Sequence, residues 1–141
     1  MRGLRTLSLR VGIVGTMMLA PVVMAANACE ASQASGGGEP AITITMTDQL
    51  MFEPKRDTIT VGQTVEWWNG SLLVHTVTAD PAKATLSESV LLPDGAAAFD
   101  SGNLEPDSTF THAFTVPGTY RYFCIPHEGA SMTGEIVVLS N

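Results

Sequence analysis

A thiol, an imidazole and a thioether lie within nine residues near the end of the chain. The segment reads Cys-Ile-Pro-His-Glu-Gly-Ala-Ser-Met, and its donors are Cys124, His127 and Met132. Thiolate and imidazole suit a copper or zinc ion, whereas an added thioether favours copper. Pro126 restricts the peptide between the first two donors, and Gly129 permits a tight return towards Met132. The donor types and their spacing therefore predict a copper site.

A fourth donor must come from another part of the chain. His75 follows a turn-like sequence at residues 69–71, at the start of a predicted strand, and is the predicted fourth ligand. Only His112 competes, and we interpret it as a strand residue without a redox role because it lies within an alternating strand. A site built from two segments on packed sheets would be rigid, which favours fast one-electron transfer.

Alternating apolar and polar residues predict the strands that hold these loops. The pattern is clearest at residues 42–45, 58–61, 64–69, 76–78, 109–114, 119–123 and 135–139. Residues 79–102 contain two prolines and are predicted to form a long connection, with a helical turn near residues 81–84. Roughly seven short strands without a crossover helix predict an all-β fold, a two-sheet antiparallel Greek-key sandwich.

The N-terminal residues predict an export signal. Three arginines precede an apolar stretch at residues 11–26, and Ala26-Asn27-Ala28 presents small residues to a signal peptidase. A transmembrane anchor is the alternative, but the stretch is shorter than the roughly 20 residues that span a bilayer. We interpret residues 1–28 as a signal peptide, which predicts a location in the periplasm or at the outer face of the cell membrane.

Cys29 directly follows this leader and leaves two processing routes open. One is plain cleavage after Ala28, and the other is lipid attachment to Cys29, which would tether the protein to a membrane. Residues 29–39 are rich in Gly, Ser and Ala and are predicted to be a flexible linker, so the folded domain is residues 40–141. A disulfide between Cys29 and Cys124 would span this flexible linker and would therefore add little to the stability of the fold.

Without the leader the chain is strongly acidic. Residues 29–141 carry 14 acidic side chains against four basic ones, a net charge of −10. This charge argues against nucleic-acid binding and favours encounter with a basic partner. The alternative is that acidity only keeps an exported protein soluble.

The same donors occur in proteins of other functional classes. A thiol hydrolase would need an oxyanion hole and an orienting carboxylate for Cys124, and no such pattern is evident. Haem attachment requires a second nearby cysteine, and a multicopper oxidase or nitrite reductase needs more than three histidines. A periplasmic copper chaperone or storage protein uses the same ligands without electron transfer, and it remains the alternative function.

The pattern Cys-x2-His-x4-Met, preceded by residues 118–123, resembles the plastocyanin and pseudoazurin branch of the cupredoxins. Residues 61–69 are similar to the strand before the first histidine of that family, and Phe-Asp-Ser-Gly-Asn-Leu at 99–104 recurs in bacterial members. The resemblance covers nearly all of residues 40–140. It implies a type 1 (blue) copper protein that carries one electron between redox partners, as a monomer, and is not an enzyme.

The same resemblance implies roles for individual residues. His75 and His127 would bind one copper ion through ring nitrogens, Cys124 would supply the short equatorial bond, and Met132 would be the weak axial donor. Asn69 would tie the two ligand loops together by hydrogen bonds. Docking of a basic cytochrome or a membrane oxidase or reductase would use an apolar patch around His127, made of Leu72, Leu73, Ile125, Pro126 and Ala130.

Three positions depart from the family pattern. Val74 stands where many relatives have proline, and Ser131 and Asp107 stand where relatives have glycine. None of the three removes a predicted ligand.

Overall fold

The computed structural model describes residues 39–141, and the predicted leader and nearly all of the predicted linker lie outside the described residues. In these residues the chain forms nine strands and two short 3-10 helices. The strands are β1 Ile42–Met46, β2 Phe52–Glu53, β3 Arg56–Thr60, β4 Thr64–Asn69, β5 Thr78–Ala79, β6 Phe99–Asp100, β7 Thr109–Ala113, β8 Gly118–Phe123 and β9 Thr133–Leu139, and the helices are Ser87–Ser89 and Ile125–Ala130.

The strands form two sheets, with the orders β2-β1-β4-β7 and β3-β9-β8-β5-β6. The predicted two-sheet sandwich is therefore confirmed, but the expectation of purely antiparallel sheets is wrong. The pairs β1–β4 and β3–β9 are parallel, whereas all other strand pairs are antiparallel. The chain crosses between the sheets after β2 and again after β3, so β4 returns beside β1 in the same direction.

The core lies between the sheets and is centred on Trp67 of β4. Its indole is fully buried and packs edge-on against Tyr122 of β8, with ring centroids 5.3 Å apart. Side chains of a strand point alternately to its two faces, so every second residue faces the core. In β9 the inward residues are Gly134, Ile136 and Val138, and their neighbours are partly exposed. Trp68 points the other way and is 39% exposed, as expected for adjacent residues of a strand.

The connection predicted at residues 79–102 contains more structure than expected. A helical turn was expected near residues 81–84, but the chain forms a non-helical turn there, in which the Lys83 N–H donates to the Asp80 carbonyl at 3.0 Å. The short helix of this connection lies at Ser87–Ser89. Strands β5 and β6 also fall at its two ends, because Thr78 and Ala79 pair with Asp100 and Phe99. Among residues 39–141, no helix has the length and apolarity needed to cross a membrane.

The sandwich brings two loops to the site. Strands β8 and β9 are antiparallel neighbours, with Phe123 opposite Thr133, so residues 124–132 close a loop over the end of this pair. The loop after β4 leads to His75, which pairs with Leu104 in a short antiparallel bridge. Both loops are therefore anchored on strands at their two ends.

Candidate metal centre

Three of the predicted ligands lie together in the structure. The Cys124 Sγ is 3.3 Å from the Nδ1 of His127 and 3.6 Å from the Nδ1 of His75. The donor atoms of these three side chains all lie within 4.8 Å of one another. Two imidazole nitrogens and one sulfur facing one point form the N₂S donor set that suits copper.

Met132, the fourth predicted ligand, lies in the same loop and is 1% exposed. Its carbonyl accepts the Cys124 N–H at 3.1 Å, and its N–H donates to the His127 carbonyl at 3.3 Å. Ser131 before it adopts a left-handed conformation with φ of 60°, and Asp107 does the same with φ of 63°. Glycine would reach this region without steric cost, which agrees with the glycine that the resemblance leads one to expect at both positions.

The ring of His75 is held from the side opposite the sulfur. Its Nε2 lies 2.9 Å from the Ser71 Oγ, so a proton on Nε2 leaves the Nδ1 lone pair free for a metal. The residue is fully buried, and burial lowers the pKa of His75, with a further decrease from the neighbouring His127. The imidazole is thereby kept neutral, which is the form that binds a metal.

The Cys124 thiol is also fully buried. Burial raises the pKa of Cys124, against smaller lowering contributions from the hydrogen bonds of Thr76 and His127. The Thr76 N–H donates to the Cys124 Sγ at 3.3 Å. A bound metal cation would lower the pKa of this thiol and favour the thiolate, which is the form that binds a metal.

Thr76, and not Asn69, ties the two ligand loops together. The Thr76 hydroxyl accepts the Ile125 N–H at 2.8 Å, in addition to the backbone bond to Cys124. The fully buried Asn69 instead donates to the carbonyls of Leu73 and Leu104 and accepts two bonds from Ser71. Asn69 lies at the end of β4, directly before its own loop, so its short side chain bonds there and to the neighbouring Leu104.

The family described as copper binding proteins, plastocyanin/azurin family, matches residues 39–139. The chain belongs to this family. It is 41% identical over 95 residues to a plastocyanin of Nostoc punctiforme, an alignment that covers 63% of this chain and 65% of that protein. It is 36% identical over 93 residues to a plastocyanin of Scenedesmus fuscus, covering 63% of this chain and 87% of that protein.

Solved structures show the same cupredoxin fold. An amicyanin variant in its Cu(I) form aligns with a TM-score of 0.56 and 27% identity, over 72% of this chain and 85% of that chain. A pseudoazurin from Sinorhizobium aligns with a TM-score of 0.56 and 23% identity, over 70% of this chain and 72% of that chain. The cupredoxin resemblance predicted from the ligand loop is confirmed, and the family's metal is copper.

In this cupredoxin, His127 is partly exposed while the other two donors are buried. Both loops carry exposed apolar residues: Leu72 is 84% exposed, Leu73 40% and Ile125 39%. Large apolar side chains that remain exposed together at one end of a protein mark an interaction surface. His112 is not one of the converging donors. Its ring stacks on Phe99 in the core region, with ring centroids 4.1 Å apart.

Two supporting residues were not predicted from the sequence. In the sequence Ser71 belongs only to a turn-like segment, but its position four residues before His75 puts its hydroxyl on the imidazole. The buried Glu128 accepts N–H bonds from Thr85 and Leu86 at 2.9 to 3.1 Å, which fixes the ligand loop to the connection before β6. No local pattern points to Glu128, because its partners lie more than 40 residues away.

Proposed function

We propose that this chain is a type 1 copper protein that carries one electron, with a single copper ion held by His75, Cys124, His127 and Met132. The observation that carries the proposal is the approach of two imidazole Nδ1 atoms and one buried sulfur to within 4.8 Å of one another. When bound, copper supplies the one-electron Cu(II)/Cu(I) couple. No substrate bond is made or broken, so the protein acts as a shuttle and not as an enzyme.

The protein's contribution is to hold its donors still. Ser71 fixes the ring of His75, Thr76 fixes the Cys124 sulfur, and Glu128 fixes the loop around His127. Burial of His75 and Cys124 also keeps bulk water from those donors. A site that does not rearrange between two oxidation states has a small reorganisation energy, which favours fast electron transfer.

His127 is the proposed point of electron entry or exit. Its ring is the most exposed of the three converging donors, and it is flanked by the apolar patch of Leu72, Leu73, Ile125, Pro126 and Ala130. A redox partner that docks on this patch would come closest to the copper through that imidazole. A small contact surface supports brief association, as a carrier requires.

The proposed partner is a basic redox protein, such as a cytochrome, or a membrane oxidase or reductase. Four basic and 13 acidic side chains among residues 39–141 give this region a net charge of −9. We further propose export to the periplasm or the outer face of the cell membrane, from the leader pattern of residues 1–28 and with Cys29 as a possible lipid attachment point. The carrier acts as a monomer.

Voltammetry of the copper-loaded protein tests the proposal. An electron carrier gives one reversible one-electron wave that persists over repeated cycles. Its electron exchange with the electrode is fast. A protein that loses its ion on reduction, or that shows no reversible wave, would instead be a copper chaperone or storage protein.

The charge argument has a separate test. Electron transfer from the reduced protein to a basic c-type cytochrome is expected to slow as ionic strength rises, because salt screens the attraction between opposite charges. A neutral or acidic cytochrome is the matched control and is expected to lack this decrease. A rate to the basic cytochrome that does not change with salt would contradict electrostatic steering.

A further inference from the structure

The segment Phe99–Leu104 is part of the sequence resemblance to bacterial cupredoxins, but none of its residues is a predicted copper donor. In the structure it runs beside the residues that follow and include His75. His75 and Leu104 exchange two backbone hydrogen bonds, at 2.8 and 3.1 Å, and the Val77 N–H donates to the Ser101 Oγ at 2.8 Å. The segment thus supports the part of the chain that carries the first histidine.

A line of hydroxyl groups continues from this segment to the Cys124 loop. The Thr78 Oγ1 lies 2.7 Å from the Asp100 Oδ1 and 3.1 Å from the Thr76 Oγ1, and the Ile125 N–H donates to the Thr76 Oγ1 at 2.8 Å. Both threonines are buried, at 2% and 0% exposure. The line therefore connects Asp100 to the peptide that joins Cys124 to Ile125.

The proton count gives this line a direction. A hydroxyl group has one proton, and an ionised carboxylate can only accept, so Thr78 donates to Asp100. Thr76 then donates to Thr78 and uses its lone pairs to accept the Ile125 N–H. Each donor has one acceptor and no proton is left over, so the chain of bonds is fully satisfied and its members polarise one another.

The carboxylate at the end of the line is held in its charged form. The Lys83 ammonium forms an ion pair with the Asp100 Oδ2. Burial alone would raise the pKa of Asp100, but the hydrogen bonds from Lys83, Thr78 and the Gly102 backbone outweigh it, and the pKa is lowered. A charged acceptor makes the bond from Thr78 stronger than a bond between neutral groups.

We propose that Asp100, acting through Thr78 and Thr76, is a positioning residue for the Cys124 loop. Its carboxylate fixes the Thr78 hydroxyl, which fixes the Thr76 hydroxyl, which in turn fixes the Ile125 N–H. Thr76 also donates its backbone N–H to the Cys124 sulfur, so the same residue sets the orientation of the sulfur. The consequence for copper rests on the proposed function, whereas the effect on the Ile125 peptide does not.

Thr78→Val tests the proposal, because it removes the hydroxyl while keeping the volume of the side chain. The change removes both hydrogen bonds of the Thr78 hydroxyl, and with them the fixed orientation of the Thr76 hydroxyl. A weakening of the Thr76–Ile125 bond by about 1 kcal/mol should increase local opening, so amide exchange at Ile125 in the copper-free protein should be roughly fivefold faster. In the copper-loaded protein the thiolate-to-copper absorption and the reduction potential should both shift. Thr78→Ser retains the hydroxyl and should restore the exchange rate, the spectrum and the potential.

Two controls separate this role from a general loss of stability. Thr111→Val makes the same change on an exposed strand residue and should leave Ile125 unaffected. Val65 lies in the core of the other sheet. In every variant its amide should exchange only as fast as the measured change in the free energy of global unfolding predicts.

The proposal is overturned if Ile125 exchanges at the wild-type rate in Thr78→Val, if Thr78→Ser and Thr78→Val behave alike, or if the copper spectrum and potential do not change. If the wild-type protein itself shows no thiolate-to-copper band, the proposed function fails. Amide exchange then decides on the positioning of the loop by itself.

Discussion

Asn69 offers a sharp test of how the first ligand loop is held. Its side chain is fully buried, donates to the carbonyls of Leu73 and Leu104 at 2.8 and 2.9 Å, and accepts two bonds from Ser71. Asn69→Asp conserves the shape and keeps the acceptor oxygen. It replaces the amide NH₂ by an oxygen that cannot donate and that would face two carbonyl oxygens.

The expected cost follows from these contacts. Two lost hydrogen bonds contribute about 2 kcal/mol, and a buried carboxylate without a cation adds more, so we expect a loss of about 3–5 kcal/mol in the free energy of unfolding at neutral pH. This is a large part of the roughly 5–15 kcal/mol that stabilises an ordinary domain. Ser71 and His75 should both lose their fixed positions in the variant.

The pH dependence of this loss has a defined sign. In the variant, burial and the facing carbonyls raise the folded-state pKa of the new carboxyl above its unfolded value of about 3.9. Protonation therefore favours the folded state, and the penalty shrinks as the pH falls through the raised pKa. A protonated carboxyl can donate one of the two lost bonds, so the remaining cost at low pH should be about 1 kcal/mol.

Urea unfolding of the copper-free protein at several pH values measures both effects, provided that the dependence on urea concentration is equal in the two proteins. Asn103→Asp is the matched control, since it adds the same charge at an exposed position and should change stability by less than about 0.5 kcal/mol. If Asn69→Asp is within about 1 kcal/mol of wild type at neutral pH, Asn69 does not hold the loop as described.

Three further predictions follow from other contacts. In Gly134→Ala the added methyl would overlap the ring of Tyr122, and we expect a loss of about 1–3 kcal/mol in urea unfolding. Gly129 has no positive φ, so the return towards Met132 does not need glycine as expected, and Gly129→Ala, which places its methyl in open space, should be nearly neutral. Burial lowers the pKa of His112, so the neutral ring contributes stability that is fully present above the unfolded pKa of 6.5 and is lost as the pH falls below this value. His112→Phe should therefore flatten the decline in stability of the copper-free protein on acidification. An unchanged decline would contradict this assignment. Ser71→Ala removes the acceptor of the His75 Nε2 proton and should weaken copper binding roughly tenfold in competition with a chelator, with Ser87→Ala, on an exposed serine, as the control; equal affinities would show that the hydroxyl does not orient the ring.

The convergence of His75, Cys124 and His127 could be predicted from the sequence because most of the chemistry is local. Cys124, His127 and Met132 belong to one loop, so the donor types and the spacing are visible without the fold. His75 could be chosen because the only other histidine available lies in an alternating strand. The sandwich followed from short alternating segments, since the period of two specifies strands directly.

The remaining features depend on contacts that are distant in sequence. Parallel pairing of β1 with β4 and of β3 with β9 is decided by which sheet each strand joins, and strand pattern carries no such information. Asn69 was assigned to the wrong partner, because a side-chain amide can bond to either loop and only the packed structure selects one. Glu128, Thr78 and Asp100 likewise gain their roles from partners that lie 22 or more residues away.

The visible spectrum of the mature protein with one equivalent of Cu(II), beside that of Cys124→Ser, tests the central claim most directly. The account predicts an intense blue absorption from thiolate-to-copper charge transfer in the wild type and its complete loss in the variant. The serine variant should remain folded, because the change conserves the side-chain volume in a small buried site. A pale spectrum that is the same in both proteins would show that Cys124 is not a ligand and would contradict the proposed copper centre.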